Sequence, residues 1–227
     1  LALQARVRPE ALLFDLDGTL FQTETLSVPA YERTFADLRR EGLWQGPTPP
    51  VERFLGSLGL LLDEIWHNVM PEADAATRRR ADELLLQHQL AGLKQGEGRL
   101  YPGVPETLQG LAELGCQLFV ASNGLEAYVK GALEATGIAR WFAGAYSAGE
   151  YQTASKVELV RLLLSRQGLT SAWMVGDRQS DVEAGRQNGL FVVGCGYGGF
   201  HKPDELAKAD VVIRSFSQLL PLVQQAH

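Results

Sequence analysis

Residues 11–19 read ALLFDLDGT. The stretch ALLFDL (11–16) is an apolar run broken by one acid, Asp15, and it stops at the pair Asp17-Gly18. A short apolar run ending in a turn signal is the pattern of a parallel strand buried on both faces. Such a strand delivers Asp15 at its C-terminal end. Asp17 follows two residues on, where a turn can bring its carboxylate back to the same pocket. Gly18 lets the chain turn there without a Cβ clash. A carboxylate in a buried strand is costly unless it is paired or holds a cation, and two close together need the cation more. Taken alone, an Asp-Gly turn at a strand end is an ordinary feature.

Four similar runs lie further along. They are QLFVA (117–121), AWMVG (172–176), LFVVG (190–194) and DVVI (210–213), with 141–146 a weaker candidate. Helical stripes fall between them: Val104, Leu108, Leu111 and Leu114; then Leu125, Val129 and Leu133; then Val157, Val160 and Leu164. Strands alternating with helices at this spacing predict an α/β fold, a parallel sheet with helices on both faces. Ligands in such sheets bind beyond the C-terminal strand ends. The segment 22–98 breaks the alternation. It carries no strand pattern but two helical stripes, one of Val28, Tyr31, Phe35 and Leu38, the other running from Leu84 to Leu90. A GPTPP break at 46–50 lies between them. Gly96, Gly98, Pro102 and Gly103 mark the return. The expectation is a core domain of residues 1–21 and 99–227 with an inserted helical unit, 22–98, that hinges over the sheet edge.

Composition narrows the partners. The 227 residues are long enough for one sizeable core and a smaller unit. A net charge of -6 gives nucleic acid no footing. The one basic run, Arg78-Arg79-Arg80, has Asp82 and Glu83 beside it and reads as a solvated helix face. Two cysteines, Cys116 and Cys195, lie in no metal-binding or redox spacing and fit a reducing compartment. No run of 18 apolar residues is present to span a membrane. LALQARVRPE (1–10) lacks the apolar region of a secretory leader, so a cytoplasmic location is expected. The sequence leaves a monomer and a homodimer equally open.

Three further motifs sit where the strand pattern places functional groups. Ser122-Asn123-Gly124 follows the 117–121 run; its hydroxyl and backbone amides can hold a phosphoryl oxygen or cap a helix, and a helix start also binds anions. Gly176-Asp177-Arg178-Gln179-Ser180-Asp181 follows the 172–176 run and adds two carboxylates. Lys156 opens the helical stripe before that run, where a positive charge opposes the helix dipole unless it points inward to an acid such as Asp15. Four carboxylates, a hydroxyl and a lysine thus converge on one sheet edge. A phosphoryl group needs a nucleophile, a metal, a positive charge and hydrogen-bond donors, and this set supplies them. Four carboxylates call for a hard, oxygen-preferring cation such as magnesium.

The order DLDGT (15–19), Ser-Asn (122–123), Lys156 and GDRQSD (176–181) resembles the haloacid dehalogenase-like phosphohydrolases, across essentially the whole chain. The resemblance implies a Rossmann-like core with a helical type 1 cap. It implies a cofactor, Mg2+, and a reaction through an aspartyl-phosphate. Asp15 would be the nucleophile and Asp17 the general acid and base. Lys156 would neutralise the nucleophile and contact the phosphoryl group with Thr19, Ser122 and Asn123, Thr19 also orienting the first loop. Asp15, the backbone carbonyl of Asp17, and Asp177 would hold the metal, with Asp181 in support. LYPGVPETLQGLAELGCQLFVASNG (100–124) resembles the phosphoglycolate phosphatase-like branch. That branch implies a small phosphorylated metabolite as substrate, such as 2-phosphoglycolate or a sugar phosphate. It leaves open a pyrophosphatase, a β-phosphoglucomutase-like mutase or a catalytically silent binding protein. Gly124, where lysine is frequent, and Arg178, where serine is frequent, depart from the branch. For substrate selection Gln22, Glu24, Arg33, Arg53 and His67 are candidates on composition, and the glycine-rich GYGGFHKP (196–203) is a candidate entrance loop.

Overall fold

In the computed structural model, which describes residues 7–199, 202 and 204–226, the ALLF segment forms β1 (Ala11–Phe14) at the centre of a sheet. β1 ends two residues before the apolar run does. The carbonyl of Leu16 accepts from the amides of Thr19, Leu20 and Phe21, which curls the chain into a turn directly after Asp15. A two-residue ribbon follows, β2 (Phe21–Gln22), and then α1 (Glu24–Arg40), α2 (Val51–Leu55), α3 (Leu62–Val69) and α4 (Ala75–Lys94). β3 (Arg99–Leu100) returns the chain to the core. There α5 (Val104–Glu113), β4 (Gln117–Ser122), α6 (Glu126–Ala135), β5 (Gly144–Ser147), α7 (Ala148–Tyr151), α8 (Lys156–Gln167) and β6 (Ala172–Gly176) alternate. α9 (Gln179–Gln187), β7 (Phe191–Cys195), β8 (Val211–Ile213) and α10 (Leu219–Gln224) complete the chain. The weaker strand candidate at 141–146 resolves into a 3-10 turn at Ala139–Trp141 and β5 just beyond it.

The main sheet has the order β5-β4-β1-β6-β7-β8 and is parallel throughout. Side chains alternate along each strand. Leu12 and Phe14 of β1, Leu118 and Val120 of β4, and Trp173 and Val175 of β6 point to the face covered by α5, α6 and α10. Ala11 and Leu13, Phe119 and Ala121, and Met174 point to the other, covered by α8 and α9. Burial on both faces is why these strands read as unbroken apolar runs. β1 lies between β4 and β6, so the order reverses there and a crevice opens at the strands' C-terminal ends. Asp15, Ser122 and Asp177 stand at or directly after the three ends that form it.

The helical insertion has a core of its own. Tyr31, Phe35, Phe54 and Trp66 pack as an aromatic cluster, with ring centroids 4.9 to 6.5 Å apart, against Leu84 and Leu85 of α4. The Arg78–Arg80 run lies on α4, where Arg80 pairs with Glu41 and Glu83. The two crossings between insertion and core are joined by an antiparallel pairing absent from the sequence reading. Phe21 faces Leu100 and Gln22 faces Arg99. Two residues per strand are too few to show a period. Arg33 and Glu97 clamp this ribbon with a 2.6 Å ion pair, and Gln22 Nε2 donates to the Leu100 carbonyl at 2.7 Å.

Gly98 enters the ribbon with a φ of +94°, and a Cβ there would lie 2.5 Å from Phe21 Cζ, a ring that is fully buried. Gly96, two residues earlier, has a φ of +79° and open space around it. Gly96→Ala is expected to cost about 1 kcal/mol from backbone strain alone. Gly98→Ala is expected to cost roughly 1 to 3 kcal/mol more, a further drop in Tm of about 3 to 9 °C in a chain of this size. Equal Tm losses by calorimetry would show that the ring does not hold the crossing.

Candidate active site

Asp15 follows β1 and is 2% exposed. Its backbone amide donates to the Val175 carbonyl at 2.9 Å, so β6 fixes where its side chain begins. Lys156, at the first residue of α8, is 3% exposed and places Nζ 2.5 Å from both Asp15 Oδ1 and Asp181 Oδ1. Ser155 caps that helix by accepting from the Glu158 amide. The charge that opposes the helix dipole is therefore offset by two carboxylates. Asp181 uses its second oxygen to accept from the Arg178 amide at 2.9 Å. Asp15 Oδ2 is buried and has no hydrogen-bond partner.

Two glycines make room for the acids. Gly18, with a φ of +79°, would put a Cβ 2.3 Å from Asp177 Oδ2. Gly176 would put one 2.2 Å from Asp181 Cγ. One oxygen from each of Asp15, Asp177 and Asp181 comes within 4.8 Å of the others, in full burial. Burial is the first cause that drives Asp15 up to about 7, with the Asp181 charge adding to it and Lys156 opposing. Burial and then the charges of Asp15 and Asp181 drive Asp177 well above the carboxylate range. Burial alone would lower Lys156, but Asp15 and Asp181 hold it above the usual lysine range. One ammonium for three buried carboxylates leaves the site short of positive charge. An all-oxygen donor set with an unpartnered buried oxygen fits a hard dication.

Asp17 stands apart. Its carboxylate is not among the three, and Oδ1 accepts from Thr23 Oγ1 at 2.6 Å and from Tyr128 OH at 2.5 Å. Burial raises its pKa against those two bonds, which lower it. Ser122, 1% exposed, accepts from the Gly124 amide at 3.1 Å, which leaves its own proton for another acceptor. Thr19 is turned toward Asp177, 3.4 Å from Oδ1, instead of into the cavity. Its carbonyl accepts from Tyr197 OH at 2.6 Å, and Gly198 packs against Gly18. The glycine-rich loop thus braces the first motif over its described part; residues 200, 201 and 203 of it, like residues 1–6 of the N-terminal stretch, lie outside the described residues.

Asn123 and Arg178 reach across to the insertion. Asn123 Nδ2 donates to the Gly59 carbonyl at 2.8 Å. Arg178 donates to the carbonyls of Leu58 and, at 3.0 Å, Gly56, while Glu205 accepts from its Nε at 2.8 Å. Ser180 Oγ lies 3.5 Å from the same Gly59 carbonyl. The loop between α2 and α3 is thereby drawn onto the sheet edge. It closes a cavity of about 50 Å³ with Asp15, Asp17, Ser122 and Asn123 at its floor. None of Gln22, Glu24, Arg33, Arg53 and His67 lines it. Gln22 and Arg33 serve the ribbon, and Arg53 and His67 are exposed. The roles of Thr23, Tyr128 and the Arg178 side chain carry no local sequence signal, because their partners lie 6, 111 and about 120 positions away.

A family model described as haloacid dehalogenase-like hydrolase matches residues 9–189. The chain is 30% identical over 217 residues to a phosphoglycolate phosphatase of Agrobacterium fabrum, covering 92% of this chain and 90% of that one. It is 31% identical over 199 residues to the pyrophosphatase PpaX of Bacillus velezensis, covering 84% of each. Among solved structures, a predicted phosphoglycolate phosphatase from Haemophilus somnus superposes with a TM-score of 0.81 at 24% identity, over 96% of this chain and 99% of that one. At that identity the likeness speaks to the fold. No helix among the described residues is long and apolar enough to cross a membrane.

The raised Asp15 value sets a pH dependence. Folded Asp15 keeps a proton up to about 7, whereas unfolded aspartate releases it near 4. Between those values the folded state binds more protons, so stability without metal falls as pH rises. A dication competes with those protons, so its stabilisation grows with pH. The increase in Tm on adding saturating Mg2+ is expected to be larger at about pH 8 than at about pH 5.5. An equal increase at both would show that Asp15 does not titrate in that window.

Proposed function

The chain belongs to the haloacid dehalogenase-like hydrolases, and we propose that it is a Mg2+-dependent phosphatase that hydrolyses a small organic phosphomonoester through an aspartyl-phosphate on Asp15. The observation that carries the reading is the state of that carboxylate. Lys156 holds one oxygen, the other is buried and unpartnered, and the residue stands at the floor of the cavity. A nucleophile needs one free oxygen and a fixed orientation, and this arrangement supplies both.

Each remaining side chain takes a role its surroundings support. An Asp15 oxygen attacks phosphorus as the bond to the leaving oxygen breaks. Asp17, whose pKa burial raises, gives its proton to that oxygen. The Asp17 carboxylate so formed then takes a proton from water as the water oxygen attacks phosphorus. Asp15 departs and inorganic phosphate is released. Thr23 and Tyr128 hold the Asp17 carboxyl in one position through both steps. Ser122 and the Asn123 backbone amide donate to phosphoryl oxygens, and Lys156 balances the charge on Asp15. Asp15, the Asp17 carbonyl and Asp177 would hold Mg2+. Asp181, with both oxygens already engaged, would act through water or by fixing Lys156. When bound, Mg2+ neutralises the phosphoryl oxygens and the carboxylates around them.

Asn123, Arg178 and Ser180 hold the loop between α2 and α3 over these acids. Substrate enters as the insertion, residues 22–98, swings on the ribbon, and its return excludes bulk water from the phosphoryl group.

Phosphate release from phosphomonoesters and pyrophosphate, with Mg2+ and with EDTA, tests the reading. Among the esters 2-phosphoglycolate, sugar phosphates and p-nitrophenyl phosphate belong in the set. Release is expected to need Mg2+, and Asp15→Asn is expected to lower kcat by roughly 10⁴-fold or more. Full Mg2+-dependent activity in that variant would remove Asp15 as nucleophile. Release from pyrophosphate alone would mark a pyrophosphatase.

A further inference from the structure

We propose that the substrate's leaving group is an uncharged, largely apolar alcohol, so that this enzyme selects alkyl or aryl phosphomonoesters over esters that carry a second anion. The inference rests on the phosphatase reading and concerns the other end of the same cavity.

The insertion supplies that end. Phe54, Leu58, Leu62, Ile65, Leu85 and Leu86 form the wall above Asp15, and Leu125 and the Tyr128 ring continue it on the core side. Among the described residues, no lysine, arginine or histidine lines it. Arg178 of the core is engaged by Glu205 and by two carbonyls of the closing loop. Lys156 is held between Asp15 and Asp181 below the floor. Among the described residues, the only charged group on the upper wall is an acid, Asp82, which accepts from Trp66 Nε1 at 3.0 Å.

A second carboxylate or phosphate on the substrate would lose its water there and meet apolar carbon and a carboxyl group. An alkyl or aryl group would bury its surface against the same wall. A hydroxyl on that group would find an acceptor in Asp82 and a neighbour in Gln89, the two polar side chains of the upper wall.

The test compares kcat/KM for n-butyl phosphate, 2-phosphoglycolate and pyrophosphate, with p-nitrophenyl phosphate as the measure of basal turnover. Butyl phosphate is expected to exceed both competitors, each of which carries a second anionic group, by about tenfold or more. Leu62→Arg places a cation on the wall at a half-buried position and is expected to shift the ratio toward 2-phosphoglycolate by about tenfold. Preference for 2-phosphoglycolate or pyrophosphate in the wild-type protein would overturn the inference and leave the phosphatase reading standing. No turnover of any compound, p-nitrophenyl phosphate included, would overturn the phosphatase reading and this inference with it.

Discussion

Lys156 is the cation that pairs directly with the buried acids of the sheet edge, and the arrangement around it follows from those two ion pairs. Its ammonium joins the start of α8 to Asp15 beyond β1 and to Asp181 in the first turn of α9. Removing one partner of such a buried pair typically costs about 3 to 5 kcal/mol, because the other charge is left uncompensated. Two elements distant in sequence are thus positioned by electrostatics as well as by packing. Burial, and then the repulsion between neighbouring carboxylates, keeps Asp15 and Asp177 above their usual range.

Most of the core was legible because its central strands, β1, β4 and β6, are buried on both faces. Apolar runs ending in Asp15, Ser122 and Gly176-Asp177 announced both the elements and the edge at which their polar residues meet. Lys156 was legible through a conflict: a cation in a first helical turn needs an inward partner, and it has two. The β2–β3 ribbon was not legible, since two residues per strand show no alternation. Thr23 and Tyr128 were not legible because what defines them is a shared acceptor, Asp17, and nothing in their own surroundings marks it.

The insertion shows a different kind of limit. Reading substrate selection from polar residues pointed to Gln22, Glu24, Arg33, Arg53 and His67, yet the wall over the site is made by leucines, an isoleucine and a phenylalanine. In sequence these look like any helical stripe, and several do belong to the insertion's own core. Phe54, Leu58, Ile65 and Leu85 pack among their neighbours and also face the cavity. Periodicity reports that a residue is buried; it does not report whether the space beside it is filled by protein.

Closure of the insertion rests on Arg178, Asn123 and Ser180 meeting the carbonyls of Gly56, Leu58 and Gly59. All three acceptors belong to the main chain, which every residue except for its own conformation presents alike. The grip is therefore indifferent to which side chains Leu58 and Leu60 carry, although both line the cavity. Gly59 is the exception, since its φ of +91° and the 3.0 Å approach of Arg178 Cγ leave little place for a Cβ. The loop can thus exchange the surface it shows to a substrate while keeping the fastening that shuts it. Descendants of this sequence could acquire new specificities one side chain at a time without first rebuilding the lid.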